Sequence, residues 1–428
     1  DEKAAVIRGW FDIRDYEFNE PLPPDLFRGP RVTALPEEAR RAFPFEDSLH
    51  AQLDREGLQG LRPPPTMEEI RAEALSLTRE RYLSGLRRLR LFLPPPTVSS
   101  ALRYNRAEGL FLGGGGSYVP SQKLGLGLQG GFSLGRERPF LEGSLWGGGA
   151  HPDSRLSGYW NRPLALGPYP AISGVLNTLA GLTLEEDYFD LFFATGLRAS
   201  HRWATPQGRT LTLTARWEEH RSPRDVTADA TGESNFRPVL PVDEGRWSSV
   251  ELATSAATPW PDLRMNTRLA WGLFRDRSFV ELAGELVYER EWLTRGLAAE
   301  GEAAGGILLG RFPRQSLYLM GGRETVPGYS FRSSAGNAFW LLKVGLSREI
   351  AAPWLRVRAF AAAGGTDYDG DPLPLPWPQE DDPGVLLSVG LGLGLGWDIL
   401  RLELARGLVN GGEWELALSV RKDFWPWL

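Results

Sequence analysis

The stretch Val385-Leu-Leu-Ser-Val-Gly-Leu-Gly-Leu-Gly-Leu-Gly-Trp397 has an apolar residue at every odd position and, after Leu386, only Ser or Gly at the even ones. Successive side chains of a strand point to opposite faces, so this segment offers a Val/Leu/Trp surface on one side and almost nothing on the other. The pattern recurs in Leu400-Arg-Leu-Glu-Leu-Ala-Arg406 and in Trp414-Glu-Leu-Ala-Leu-Ser-Val-Arg421, where the opposite face carries Arg401, Glu403, Glu415 and Arg421. Apolar residues outside, with charge, Ser or Gly inside, are the two-residue period of a transmembrane β-barrel.

The rest of the composition agrees. The chain has 428 residues, 50 Gly and 33 Pro, enough for one large barrel with an extension. No apolar run reaches the roughly 18 residues of a membrane helix. A mean hydropathy of −0.27 does not argue against the membrane, because a barrel averages its lipid-facing and lumen-facing positions. The net charge of −6 comes from mixed signs and leaves no basic stripe for nucleic acid. Cysteine is absent, which removes disulfides, thiolate nucleophiles and Cys-based metal sites. The start at Asp1, without Met or a signal peptide, suits a mature exported form.

Residues 1–97 differ from the rest of the chain: Gly is sparse, Pro clusters at 21–24, 63–65 and 94–96, and the periodicity is helical. Thr66-Met-Glu-Glu69 is a capping box opening a helix with Ile70, Ala74, Leu77, Tyr82, Leu86 and Leu89 at roughly helical spacing and six arginines among them. This segment is read as periplasmic or lumen-plugging, with a solvated helix beside the barrel mouth as the plainer alternative. Residues 98–428 are read as the barrel. Strands are expected at 108–119, 122–135, 138–151, 154–165, 187–203, 208–221, 246–259, 262–276, 278–292, 296–309, 338–349, 354–364, 384–397, 399–408 and 412–425. Bacterial barrels have even strand numbers, and the long connections 166–186, 222–245, 310–337 and 365–383 all fall at one end, external if the last strand ends in the periplasm. The missing strand is therefore expected N-terminal to Ser154, in Val98 to Asn105, for about 16 antiparallel strands.

Leu317-Tyr-Leu-Met-Gly-Gly322, then Thr325-Val-Pro-Gly-Tyr329 and Gly336-Asn337, resemble the sixth extracellular loop of the BamA/TamA surface-antigen superfamily of outer-membrane barrels. The five strands after that loop and the ending Ser419-Val-Arg-Lys-Asp-Phe424 fit the same pattern over 300–428. Arg103-Tyr-Asn-Arg-Ala-Glu-Gly109 is similar to the stretch that opens the barrel in members lacking the usual periplasmic repeats. The resemblance implies an inward-folding loop at Gly321, Gly322, Arg323, Pro327, Gly328 and Tyr329, and a barrel-closing strand through Trp414, Leu416, Leu418, Val420 and Phe424. It also implies a role in outer-membrane assembly or in protein or lipid export.

The departures matter as much. Members carry an Arg before the Gly-aromatic pair, meeting acidic residues on the next two strands; here those positions are Pro327, Gly345 and Ala362. Losing the whole set is nearly neutral, whereas one buried charge left alone costs several kcal/mol. The loop is then expected to tuck in by shape through Gly328 and Tyr329, with Arg323 or Arg332 as substitutes, into room left by the Gly-lined face of 390–396.

Asp367, Asp369 and Asp371 alternate in a long loop as in calcium sites, but Pro372 and Pro378 stand where the sixth-position Gly and closing Glu belong, so a solvated acidic turn is preferred over a metal. The best catalytic pairing is His201 and His220 near Ser200 and Ser222, which rim positions explain as well. Trp271, Trp292, Trp340, Trp397, Trp414, Trp425 and Trp427 lie near strand ends, as an interfacial girdle requires. The expectation is a non-enzymatic, cofactor-free barrel of the bacterial outer membrane. Its partners are expected to be lipid and proteins of the periplasm or cell surface. The alternative is a structural barrel anchoring an envelope or surface complex.

Overall fold

The computed structural model describes residues 89–92, 98–121, 124–147, 153–167, 172–205, 208–227, 236–260, 262–292, 296–351, 354–369, 384–396, 398–409 and 411–421. The chain divides into units 1–81 and 82–428, and every described residue lies in the second. The helix expected from Thr66 lies outside the described residues for most of its length.

In chain order the elements are β1 (Leu89–Phe92), the single turn α1 (Val98–Ala101), β2 (Leu102–Asn105), β3 (Gly109–Ser121), β4 (Leu124–Ser133), β5 (Arg138–Gly147) and β6 (Ser154–Ala165). Then come α2 (Gly174–Thr183), β7 (Leu191–Ala204), β8 (Thr210–Arg221), β9 (Gly245–Ala257), β10 (Leu263–Phe274), β11 (Arg277–Trp292) and β12 (Leu297–Gly310). A 3-10 turn at Arg314–Ser316 leads to β13 (Tyr318–Met320), β14 (Ser334–Gly336), β15 (Ala338–Ala351), β16 (Leu355–Asp367), β17 (Leu386–Leu395), β18 (Leu400–Gly407) and β19 (Trp414–Val420).

β13 and β14 pair only with each other; the remaining strands form one antiparallel sheet in which neighbours follow chain order. Its first strand is broken. β2 pairs with positions 109–112 of β3 and β1 with 115–118, both on the edge opposite β4. Between the two pairings β3 advances only over Gly113 and Gly114. α1 lies in the bulge there, and a Cβ on Gly113 would stand 2.8 Å from the Ser100 carbonyl oxygen. Counting the broken strand once gives 16 strands, with the extra one where parity and loop lengths put it. Leu89–Phe92, read as helical from the sequence, is part of that strand.

Along β17, Leu386, Ser388, Gly392 and Gly394 are buried while Val389, Leu391, Leu393 and Leu395 are exposed, Leu391 to 68%. The buried face is ionic across β12 to β18: Arg358 reaches Glu300 at 3.1 Å and Glu403 at 3.0 Å, and Lys343 reaches Glu302 at 3.1 Å. A mainly apolar outer surface over a charged inner one suits hydrocarbon outside and a polar interior within. This is the surface of a membrane-spanning β-barrel. Connections 166–190, 222–244, 311–337 and 368–385 all fall at one end, together with the short turns 106–108, 134–137 and 275–276, and the other end carries short connections only, as expected.

β19 and the broken first strand are the two ends of the series. Among the described residues no paired register joins them.

Candidate functional site

Four consecutive apolar residues in an external loop ask for burial, and Leu317, Tyr318, Leu319 and Met320 are each at most 5% exposed. β13 and β14 close the neck of this loop, Tyr318 opposite Gly336 and Met320 opposite Ser334. Its interior packs as one cluster, Tyr318, Met320, Val326 and Tyr329 against Leu308, Phe339, Leu341, Ala362 and Leu386 of the wall. Gly364 makes room: a Cβ there would meet Met320 and Val326. The tip turns through left-handed backbone at Gly321, Gly322 and Gly328, with φ of +110°, +75° and +88°. Gly328 is further constrained, because a Cβ would run into the backbone of Gly407.

Two anchorages hold the tip. On the β17 to β19 side, the Glu415 carboxylate accepts the N–H groups of Gly328 at 2.8 Å and Arg323 at 3.2 Å, and the N–H of Glu413 donates to the Gly328 carbonyl at 2.8 Å. The Tyr329 hydroxyl lies 2.8 Å from both the Leu387 and Val409 carbonyl oxygens and accepts the Leu387 N–H at 3.0 Å.

The other anchorage is ionic. Arg332, 4% exposed and at a left-handed φ of 56°, donates to Asp190 at 2.6 Å and to the Leu166 carbonyl at 2.8 Å. Asp190 also takes Arg237 at 2.5 Å and Arg106. Burial alone would raise the Asp190 carboxyl, but the guanidinium groups of Arg332, Arg237 and Arg106 outweigh it and hold its pKa at about 2.

Arg106 is presented by the turn between β2 and β3. Asn105 Oδ1 accepts the N–H groups of Ala107 and Glu108, and Glu108 takes Arg103 through both oxygens at 2.6 and 2.7 Å. The side chains of Asp187 and Asp190 are committed here: Asp187 accepts the Arg106 N–H at 2.8 Å and the Phe189 N–H at 2.9 Å. This explains why β7 begins at Leu191 and not at 187. Arg323 ties the two anchorages together, its guanidinium 4.0 Å from the Tyr188 ring centroid and its Nε 3.6 Å from Glu415. At the loop's base Gln315 donates to His220 Nδ1 at 3.0 Å and accepts the Asp243 N–H at 3.0 Å.

Gly321, Gly322, Arg323, Pro327, Gly328 and Tyr329 lie in the connection 311–337, Pro327 beside Phe360 and Glu415 in a small cavity. Shape is only half of the restraint: Arg332 and Arg323 both make charged contacts, with Asp190 and Glu415 in place of the positions at Gly345 and Ala362. Gly345 lies under Arg358, where a Cβ would stand 3.1 Å from the guanidinium, so its small size serves the Arg358–Glu300 pair. The space expected along 390–396 is filled from the neighbouring strands and the following turn: Phe360 covers Gly390, Glu403 lies against Gly392 and Asp398 against Gly394. Asp190, Arg106, Arg237 and Glu415 were not singled out from the sequence as loop partners.

Of the closing strand, Trp414, Leu416 and Leu418 face outward and Val420 is buried; Phe424 lies outside the described residues. Trp271 and Trp340 are exposed near strand ends, while Trp397, Trp425 and Trp427 lie outside the described residues. Asp369 donates its N–H to Asn337, Asp371 lies outside the described residues, and no group of three metal-ligand side chains converges among those described. His201 pairs with Ser154 at 2.7 Å, and His220 with Glu218 at 2.8 Å. Ser222 bonds the Val242 backbone, so neither expected His–Ser pairing forms.

No family model and no curated protein matches the sequence. Among solved structures the chain is similar to BamA from Haemophilus ducreyi lacking POTRA domains 1–3, with TM-score 0.49 and 13% identity over 81% of this chain and 77% of that one. It is similar also to CdiB from Acinetobacter baumannii, with TM-score 0.43 and 11% identity over 74% of this chain and 57% of that one. For CdiB from Escherichia coli the values are 0.38 and 15%, over 74% and 60%.

Proposed function

We propose that this barrel acts, without enzymatic chemistry, in assembly of the outer membrane or in export of protein or lipid. The observation that carries the reading is the loop 311–337, bonded at once to β19 and to the Asp190 cluster that holds the turn after β2, the two sides of the seam on this reading. Unpaired strand edges are costly in hydrocarbon, and an exposed edge is a template for another strand. A seam held by side chains and a loop exchanges its partners more readily than one held by a ladder. The plug keeps the long-loop end filled while the seam opens. Partners on this reading are lipid at the seam and proteins at either membrane face.

Depletion of the protein is expected to lower the levels of other outer-membrane barrels or of an exported cargo, with rescue by the wild-type chain. Unchanged levels of both would sink the reading. The buried clamp of three arginines on Asp190 favours a second one, a rigid barrel anchoring an envelope complex. That reading expects stoichiometric subunits on native purification and no effect of depletion on other barrels. A protein that purifies alone and conducts ions in bilayers defeats both.

A further inference from the structure

The connection between β6 and β7 carries the helix α2, whose N-cap Ser173 accepts the Leu176 N–H at 3.3 Å. One face of the helix, Asn177, Thr178 and Gly181, is buried. Thr178 Oγ1 accepts the backbone N–H of Tyr104 at 3.2 Å, and a Cβ on Gly181 would stand 3.0 Å from the Tyr104 ring. β2 pairs with β3 on one edge, so an N–H of β2 bonded to α2 points off the other, where a closing strand would pair. Tyr104 shares a strand face with Leu102, which is 47% exposed on the outer surface beside Leu112 at 49%. α2 therefore stands on the free edge of the first strand, towards the outside.

Its other face has no partner among the described residues. Leu179 and Leu182, with Leu184 just past the helix end, are 51%, 58% and 67% exposed, and residues 173–184 contain no charge. The Thr178 and Thr183 hydroxyls donate to helix carbonyls at 2.8 and 2.7 Å, so they need no water. An uncharged leucine stripe on a helix packed against the outer side of the first strand is the surface of a helix lying in a membrane interface.

We propose that α2 is a membrane-contacting helix: acyl chains of the surrounding lipid cover Leu179, Leu182 and Leu184, and the helix covers the free edge of the first strand on its lipid side. The proposal rests on the outer-membrane barrel and stands whether the barrel moves cargo or anchors a complex. The cysteine-free chain allows a direct test. Single nitroxides at Leu179→Cys and Leu182→Cys, in the full chain reconstituted into phosphatidylcholine vesicles, are compared with Leu128→Cys on the outer wall and Asp276→Cys in an exposed turn at the same end. All four sites are exposed, so folding is retained, and heat-modified gel migration checks it. The expected result is a several-fold preference for relaxation by oxygen over a water-soluble nickel chelate, as at Leu128. A nickel preference like that at Asp276 overturns the proposal by placing the helix in water. Inaccessibility to both reagents overturns it by showing cover by a second copy or another protein.

Discussion

The two anchorages of one loop differ in kind. Arg332 is held by charge, on a carboxylate already shared by Arg237 and by Arg106 from the turn after β2. A few residues earlier, Gly328 and Tyr329 are held by backbone groups and fit, against β17 to β19. The early half of the sheet grips by an ionic cluster in which three guanidinium groups share one buried carboxylate. The late half grips by many weak contacts that loosen singly. A plug built this way stays with the early strands when the late ones move.

The sharpest way to break the contrast is Asp190→Ala, which removes the buried carboxylate shared by three guanidinium groups and is expected to cost about 3–5 kcal/mol, read by denaturant unfolding in detergent. A loss no greater than that of a late-side variant would erase the distinction. Acid acts on the same group more mildly. The folded pKa of Asp190, about 2, lies below the ordinary carboxylate value, so its contribution is full above about pH 4 and falls away as the pH drops towards 2. The wild type is expected to lose roughly 2 kcal/mol across that window through this group, and Asp190→Asn to lose correspondingly less.

On the late side, Tyr329→Phe removes one buried hydroxyl shared by two carbonyls and an N–H, for about 1–2 kcal/mol. The diagnostic readout is protease access to the loop tip with the Arg332 contact intact. Arg323→Ala is the smallest, about 1 kcal/mol, since the Glu415 carboxylate keeps its two backbone donors and only the contact with Tyr188 and a 3.6 Å ion pair are lost. If it equalled Tyr329→Phe, the side chain of Arg323 would belong to the late anchorage rather than join the two.

The strands from β3 onward were legible because alternation over eight or more residues has one physical cause, two faces in two media. The first strand was not, since β1 and β2 are four residues each and the bulge between them destroys the period. Asp190 was illegible for another reason. A single acid ending a long loop looks solvated until Arg106, Arg237 and Arg332 are seen to meet on it from three separate connections. The signal that the sequence did hold is the Arg103 to Gly109 turn, whose Asn105 and Glu108 spend their side chains on shaping backbone and leave Arg106 without a local partner. Gly345 and Ala362 misled in the opposite sense. Their smallness was read as a missing lock, whereas it makes room for Arg358 and for the apolar loop cluster.

The bond from Arg332 to Asp190 spans 142 positions of sequence, and that to Leu166 spans 166. Contacts so distant are entropically slow to close, and folding rates fall as such separations come to dominate. The partners of Arg332 in these bonds precede it in the chain, while Gly328 and Tyr329 need Leu387, Val409, Glu413 and Glu415, all of which come later. The wiring therefore favours a folding order in which the plug first settles on the early strands and the last three then wrap round it, so that no finished ring ever has to be threaded.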